Sequence, residues 1–285
     1  MSSLSFPGEE LRPPEALAVP RAKRPGHWLV TAVALLLLAL IIRALVDNSR
    51  FEWGTVGHYF ASSAVLDGLE RTIYLTAIAM AIGVTLGTLV ALMSVSKNLV
   101  IFTLGRSYVW LFRGTPELVQ IIFWFNLAAL YPRIGLGLPF GSSALSTNTN
   151  AAISPLVAAI LALGLNEAAY MAEVVRGGII SIPKGQIEAA NSLGLSRTLM
   201  LRKIILPQAM KAIIPPTGNR AITVLKASSL VSVISLPELL GATETIAART
   251  FLTIPLLIVA SIWYLIITTV MMVGQTYLEK RYRRG

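Results

Sequence analysis

Three ionisable side chains sit inside runs of apolar residues, where charge is scarce. Glu117 lies 11 residues past Arg106, Glu167 nine before Arg176 and Lys226 ten past Pro216. At the helical rise these offsets are about 16, 14 and 15 Å, close to the middle of a roughly 30 Å hydrocarbon core. A charge at that depth costs on the order of 3 kcal/mol and so faces protein or water. The chemistry open to such a set is charge recognition: Lys226 can meet a carboxylate, and Glu117 and Glu167 can each meet a cation, leaving a formal balance of one negative charge. The plainer reading is a Glu167–Lys226 or Glu117–Lys226 ion pair that locks helices together. Asn166, Tyr170, Glu173 and Gly177 recur at helical spacing and share one face, a pattern more often of helix packing than of ligand contact. Ser229 adds a hydroxyl one turn beyond Lys226. Arg113, nearer the end of its run, reads as a snorkelling side chain.

No catalytic constellation accompanies these residues. The two histidines, His27 and His58, flank an apolar run at opposite ends, so they cannot cooperate as metal ligands or as acid and base. There is no cysteine, which removes thiolate metal sites and a cysteine nucleophile. No phosphate-cradling G-x-x-x-x-G-K-[ST] loop occurs. Asp47 and Asp67 are the only aspartates and fall in a polar segment, where solvated surface is the default.

The elements that must position the charges are set by composition. Hydrophobic residues make up 55% and charged residues 13%, with mean hydropathy +0.70, which is the profile of a polytopic membrane protein. Six runs are long enough to span, at about 28–46, 70–93, 106–131, 152–175, 212–240 and 254–277. Pro215 and Pro216 interrupt the start of the fifth, and together with Pro116 they are expected to mark bends or breaks. Residues 1–27, with five prolines, read as a disordered polar arm. A signal peptide over 21–46 competes, but Arg43 and the absence of a small-x-small cleavage site favour an uncleaved helix.

Orientation follows from the basic residues. With both termini cytoplasmic, sixteen of the 24 Lys and Arg fall in inside segments and four outside, at Arg50, Arg71, Arg133 and Arg249. The net charge of +10 is therefore an orientation signal and gives no reason to invoke nucleic acid. The segment from Glu188 to Pro207 falls on the cytoplasmic side. Glu188 to Leu193 reads as a short helix with a small-residue face, and Gly194 supplies a left-handed turn. A second short helix runs to Pro207, and the two make a knob able to press into a groove on a soluble partner.

The spacing Glu188-Ala189-Ala190, then Gly194, Ile204 and Leu206-Pro207 resembles the coupling loop of ABC importer membrane subunits. Arg113-Gly114-Thr115-Pro116 with Leu118-Val119-Gln120 looks like the signature of polar amino acid permeases. Ala169-Tyr170-x-Ala172-Glu173, Pro183-Lys184-Gly185-Gln186, Pro215-Pro216-x-Gly218-Asn219 and Lys226-x-Ser228-Ser229-Leu230 are similar to the same family, in order from about 70 to 277. The departures are the added span at 28–46, Glu117 in place of an apolar residue and Ser228 in place of threonine. The resemblance implies an all-α, type I ABC importer permease fold with six transmembrane helices, a five-helix core over 70–277 preceded by one extra helix, and a short tail over 278–285.

It further implies a multi-pass subunit of the bacterial cytoplasmic membrane that carries no cofactor itself. ATP and Mg would be bound by two ABC ATPase subunits docking on 185–206, with Glu188, Ala189, Ala190, Gly194, Leu195, Ser196 and Arg197 in the contact. A second permease subunit, an extracytoplasmic solute-binding protein, membrane lipid and an amino acid cargo complete the set of partners. Charge balance at Glu117, Glu167 and Lys226 favours cationic cargo such as arginine, lysine, ornithine or histidine. A secondary transporter or channel would account for the spans and buried charges, though not for the coupling loop. A membrane-embedded enzyme would need a constellation that the chain lacks.

Overall fold

The structure is a computed structural model that describes residues 26–136 and 145–283; the polar arm expected over 1–27 lies almost wholly outside them. It divides into two compact units, one ending at Phe51 and one beginning at Glu52. In the first, helix α1 (Gly26–Asp47) is apolar on every side, as a helix facing lipid must be. Its charges, Arg43 and Asp47, pair one turn apart at 3.1 Å.

The second unit begins with α2 (Trp53–Phe60) and α3 (Ser63–Met93). Next come α4 (Leu99–Gly114), α5 (Glu117–Phe125) and the single turn α6 (Leu127–Leu130). A two-stranded antiparallel hairpin, β1 (Arg133–Leu136) with β2 (Leu145–Asn148), pairs Arg133 with Asn148 and leads into α7 (Thr149–Ala152). Helix α8 (Pro155–Ile180) follows, then α9 (Lys184–Ser192) and α10 (Arg197–Met200). A π-helical turn, Leu201–Ile205, joins α10 to α11 (Leu206–Ala227), which tightens into a 3-10 segment, Ser228–Ile234. The chain ends with α12 (Leu239–Thr250) and α13 (Thr253–Arg283).

The core is built on the α3–α8 pair. Gly83 and Gly87 are one turn apart on α3, and a Cβ added at either would come within 2.5 Å of Glu167 Cγ or 2.6 Å of Met171 Cβ on α8. With Ala79, Ala162, Ala168 and Ala172 buried beside them, the backbones approach closely, which is how helices associate where lipid is as apolar as the side chains.

Among the described residues, four helices are long and apolar enough to span a membrane: 28–47, 63–93, 155–180 and 253–282. A fifth span arises if the bent pair 198–234 and 239–250, at 41°, counts as one. The apolar run at 106–131 is broken into α4, α5 and α6, the first break falling at the proline expected to mark one. The physical cause is Pro116, which drives Thr115 out of the helical region to φ −112°, ψ 141°. Pro215 and Pro216 behave differently from expectation, because α11 runs through both without a break. The fifth run breaks later, at Ser235, whose φ is 59°. Helix α13 also continues past 277 to Arg283, so most of the expected tail is helical.

Candidate functional site

The α4–α5 break is held by side-chain amides that replace the lost helical donors. Gln120 Nε2 donates to the carbonyls of Phe112 at 2.9 Å and Thr115 at 3.2 Å and to Thr115 Oγ1 at 2.8 Å. Asn166 Nδ2, from α8, donates to Phe112 O at 3.1 Å and Gln120 Oε1 at 3.3 Å. Asn166 thus ties the break to α8, and its donor is spent on the fold. The break also delivers Glu117 to the first turn of α5, half-buried, where the helix dipole favours an acid.

Glu167 is a buried carboxylate with one partner. Arg220 of α11 donates its Nε to both carboxylate oxygens at 3.1 Å and its Nη2 to Oε2. The Glu167 side chain is 1% exposed and that of Arg220 21%. The expectation that Lys226 pairs with an acid is corrected here, since Arg220 occupies that role for Glu167 and no ion pair joins Glu117 to any described residue. The geometric reason is that Arg220 lies six residues before Lys226 on α11 and reaches α8. Tyr170 lies one turn along α8 from Glu167 and supports the cluster from its ring face, with the Arg220 guanidinium carbon 4.0 Å and that of Arg113 5.1 Å from its centroid. Such contacts are worth about 0.5–2 kcal/mol each according to desolvation. Glu117 lies within electrostatic range of both Arg220 and Glu167.

The shared face of α8 meets α4 at Asn166, Tyr170 and Glu173, while Tyr170 also carries Arg220 of α11. Glu173 accepts from Arg106 of α4 at 2.8 Å and from Arg176 at 2.6 Å, and Tyr108 donates its hydroxyl to Leu165 O at 2.8 Å.

Lys226 and Ser229 lie elsewhere. They line a cavity of about 440 Å³ with Ser261, Tyr264, Leu265 and Thr268 of α13, and no member of the Glu117, Glu167 and Arg220 cluster lines it. Tyr264 connects this cavity to a buried acid that the sequence reading did not single out. Glu238 is fully buried and N-caps α12, accepting from Gly241 N at 2.8 Å, Leu240 N at 3.0 Å, Thr72 Oγ1 at 3.2 Å and the Tyr264 hydroxyl at 2.8 Å. No usual N-cap residue marks it, since Ser, Thr, Asp and Asn lead at that position, so a Glu there carries little signal in the sequence. Among the described residues no group of three or more His, Cys, Asp or Glu converges on a point where a metal could sit.

The loop between α8 and α11 is capped at Gly194. Gly194 N donates to Asn191 O at 2.9 Å and Leu195 N to Ala190 O at 3.1 Å, with Gly194 at φ 67°. This is the Schellman pattern. Ala190 is buried while Glu188, Ala189, Gly194 and Ser196 are exposed and Leu195 is half-buried. Leu193 is 77% exposed, an apolar tip that the reading of Glu188–Arg197 did not separate out. Arg197 opens α10. The second helix does not stop at Pro207, however. Pro207 sits in the first turn of α11, where a missing N–H is cheap, so α10, the π turn and the Arg220 helix form one continuous rod.

Residues 83–284 match the family model described as binding-protein-dependent transport system inner membrane component. The chain is similar to the arginine transport system permease protein ArgU of Corynebacterium glutamicum, 41% identical over 98% of this chain and 87% of that protein. It is also similar to the glutamine transport system permease protein GlnP of Escherichia coli, 30% identical over 82% of this chain and 99% of that one. Among solved structures, an amino acid ABC transporter with histidines superposes with a TM-score of 0.65 at 34% identity, covering 76% of this chain and 94% of the other.

Proposed function

The chain belongs to the family of binding-protein-dependent transport system inner membrane components, as an amino acid ABC importer permease with the type I fold, and on that premise we propose that its cargo is a cationic amino acid. The observation that carries this reading is the state of the two acids. Glu167 is neutralised by Arg220, whereas Glu117 is half-buried beside them with no ion-pair partner among the described residues. The three groups sum to one negative charge, which matches the one positive charge that arginine, lysine, ornithine or protonated histidine carries beyond its zwitterionic head. An unpaired charge at depth is costly, and cargo of that sign relieves it. The 41% identity to a protein named as an arginine permease supports the same choice.

ATP and Mg belong to two ABC ATPase subunits, whose groove receives the loop 185–206 with the exposed Leu193 at its tip. A push there travels along α10, the π turn and α11 to Arg220 and Lys226, so that closure of the ATPases rocks the helix that carries the pathway charges. The five-helix core over 70–277 encloses half of a pathway, a second permease subunit encloses the rest, and Lys226 with Ser229 lines its continuation. An extracytoplasmic binding protein delivers cargo, and both termini are cytoplasmic. The test is uptake of radiolabelled arginine by the reconstituted complex in competition with lysine, citrulline and glutamate. Lysine should compete and citrulline, which lacks the side-chain charge, should not. Glu117→Gln should lower arginine uptake at least about tenfold and narrow the preference over citrulline. Preference for glutamate, or undiminished arginine uptake in Glu117→Gln, would remove the cationic reading.

A further inference from the structure

We infer that the Glu167–Arg220 ion pair is the closed form of the site for the cargo's zwitterionic head: it opens so that Arg220 takes the α-carboxylate and Glu167 the α-ammonium. The inference rests on the cationic amino acid reading above. A cationic amino acid brings one carboxylate and two cations, and three protein charges are required to meet them. Glu117 supplies one. The other two must be one acid and one base held together, and the pair bridging α8 and α11 provides that combination without any unpaired charge when cargo is absent. Lys226 does not serve as the base, because its cavity contains neither acid.

The two partners differ in freedom in the way such an opening requires. Glu167 is locked, its side chain 1% exposed and seated over the bare Cα of Gly83. Arg220 is more exposed, at 21%, and rests on the Tyr170 ring, a surface along which a planar guanidinium can slide while staying in contact. A guanidinium also presents its donors in a fork that suits a carboxylate, whether it belongs to Glu167 or to cargo. Arg220 is therefore the moving partner. Because it sits on the rod that begins at Arg197, three residues after Gly194, replacement of the Glu167 contact by cargo releases α11 from α8 and reports occupancy to the loop.

The experiment compares equilibrium binding of radiolabelled arginine and radiolabelled agmatine, its analogue without the carboxylate, to the assembled permease–ATPase complex in the absence of a binding protein. Wild type should favour arginine by about a hundredfold, and Arg220→Met should bring the two within about threefold while still binding agmatine. Arg220→Lys, which keeps the charge and loses the fork, should retain an intermediate preference. Should Arg220→Met fail to assemble, Glu167→Gln/Arg220→Met removes both charges together and carries the same expectation for the ratio. A wild-type ratio surviving in either neutral variant, or equal binding of the two compounds by wild type, overturns the inference and leaves the cargo reading standing. Binding of neither compound by wild type removes both.

Discussion

Gly83 matters through the side chain it lacks. Its Cβ would stand 2.5 Å from Glu167 Cγ and 3.0 Å from Glu167 Cβ, so any larger residue pushes the acid out of its seat and strains the contact with Arg220. Gly83→Val should destabilise the subunit by about 1–3 kcal/mol. Gly54→Ala serves as a comparison, since a Cβ there meets nothing within 4 Å. Thermal unfolding of the purified complex should show a lower midpoint for Gly83→Val and an unchanged one for Gly54→Ala; equal midpoints would mean that α3 and α8 adjust freely at this contact.

Two elements depend on local devices whose loss has a defined cost. At the α4–α5 break, Gln120→Leu deletes the donor that serves Phe112 O and both Thr115 oxygens, and a buried unsatisfied acceptor costs about 1–3 kcal/mol. A melting temperature indistinguishable from wild type would show that Asn166 alone suffices. At the loop, the Schellman turn needs Gly194 at φ 67°, and the surrounding space is empty, so the penalty of a substitution is conformational rather than steric. Gly194→Val should cost about 1–2 kcal/mol and lower the uptake obtained per ATP hydrolysed, whereas Gly194→Asn, which tolerates the left-handed region, should keep both. An unaltered transport-to-hydrolysis ratio in Gly194→Val would dissociate the loop from coupling.

Across the whole molecule, the topology can be read chemically because the chain has no cysteine. On the topology proposed above, the excess of Lys and Arg in the N-terminal arm, the α8–α11 loop and the C-terminal segment puts these on the cytoplasmic side. Single cysteines at two exposed positions, Asn150→Cys and Ser192→Cys, should react with a membrane-impermeant maleimide from opposite sides, Asn150→Cys from outside intact cells and Ser192→Cys only after permeabilisation. Labelling of Ser192→Cys in intact cells would invert the assignment.

Much was legible in the chain alone. Membrane class follows from hydropathy, since apolar surface of that extent has no other solvent. The α4–α5 break follows from Pro116 and the αL turn from Gly194, because backbone sterics act over one or two residues. The spacing of Glu188 to Pro207 led to the family for the same reason: its determinants are contiguous. What the tertiary structure decided is which distant charges meet. Glu117 and Glu167 are equally good partners for Lys226 on the sequence, and only the rotation of α11 against α8 gives Glu167 to Arg220 and turns Lys226 toward α13. The burial of Glu238 likewise depends on Thr72 and Tyr264 arriving from two other helices. A helix repeats its faces every 3.6 residues, so several charged positions compete for each neighbour; close packing through Gly83 and Gly87 sets α3 against α8, and Gly178, whose missing Cβ leaves room for Ile213 of α11, sets α11 against α8.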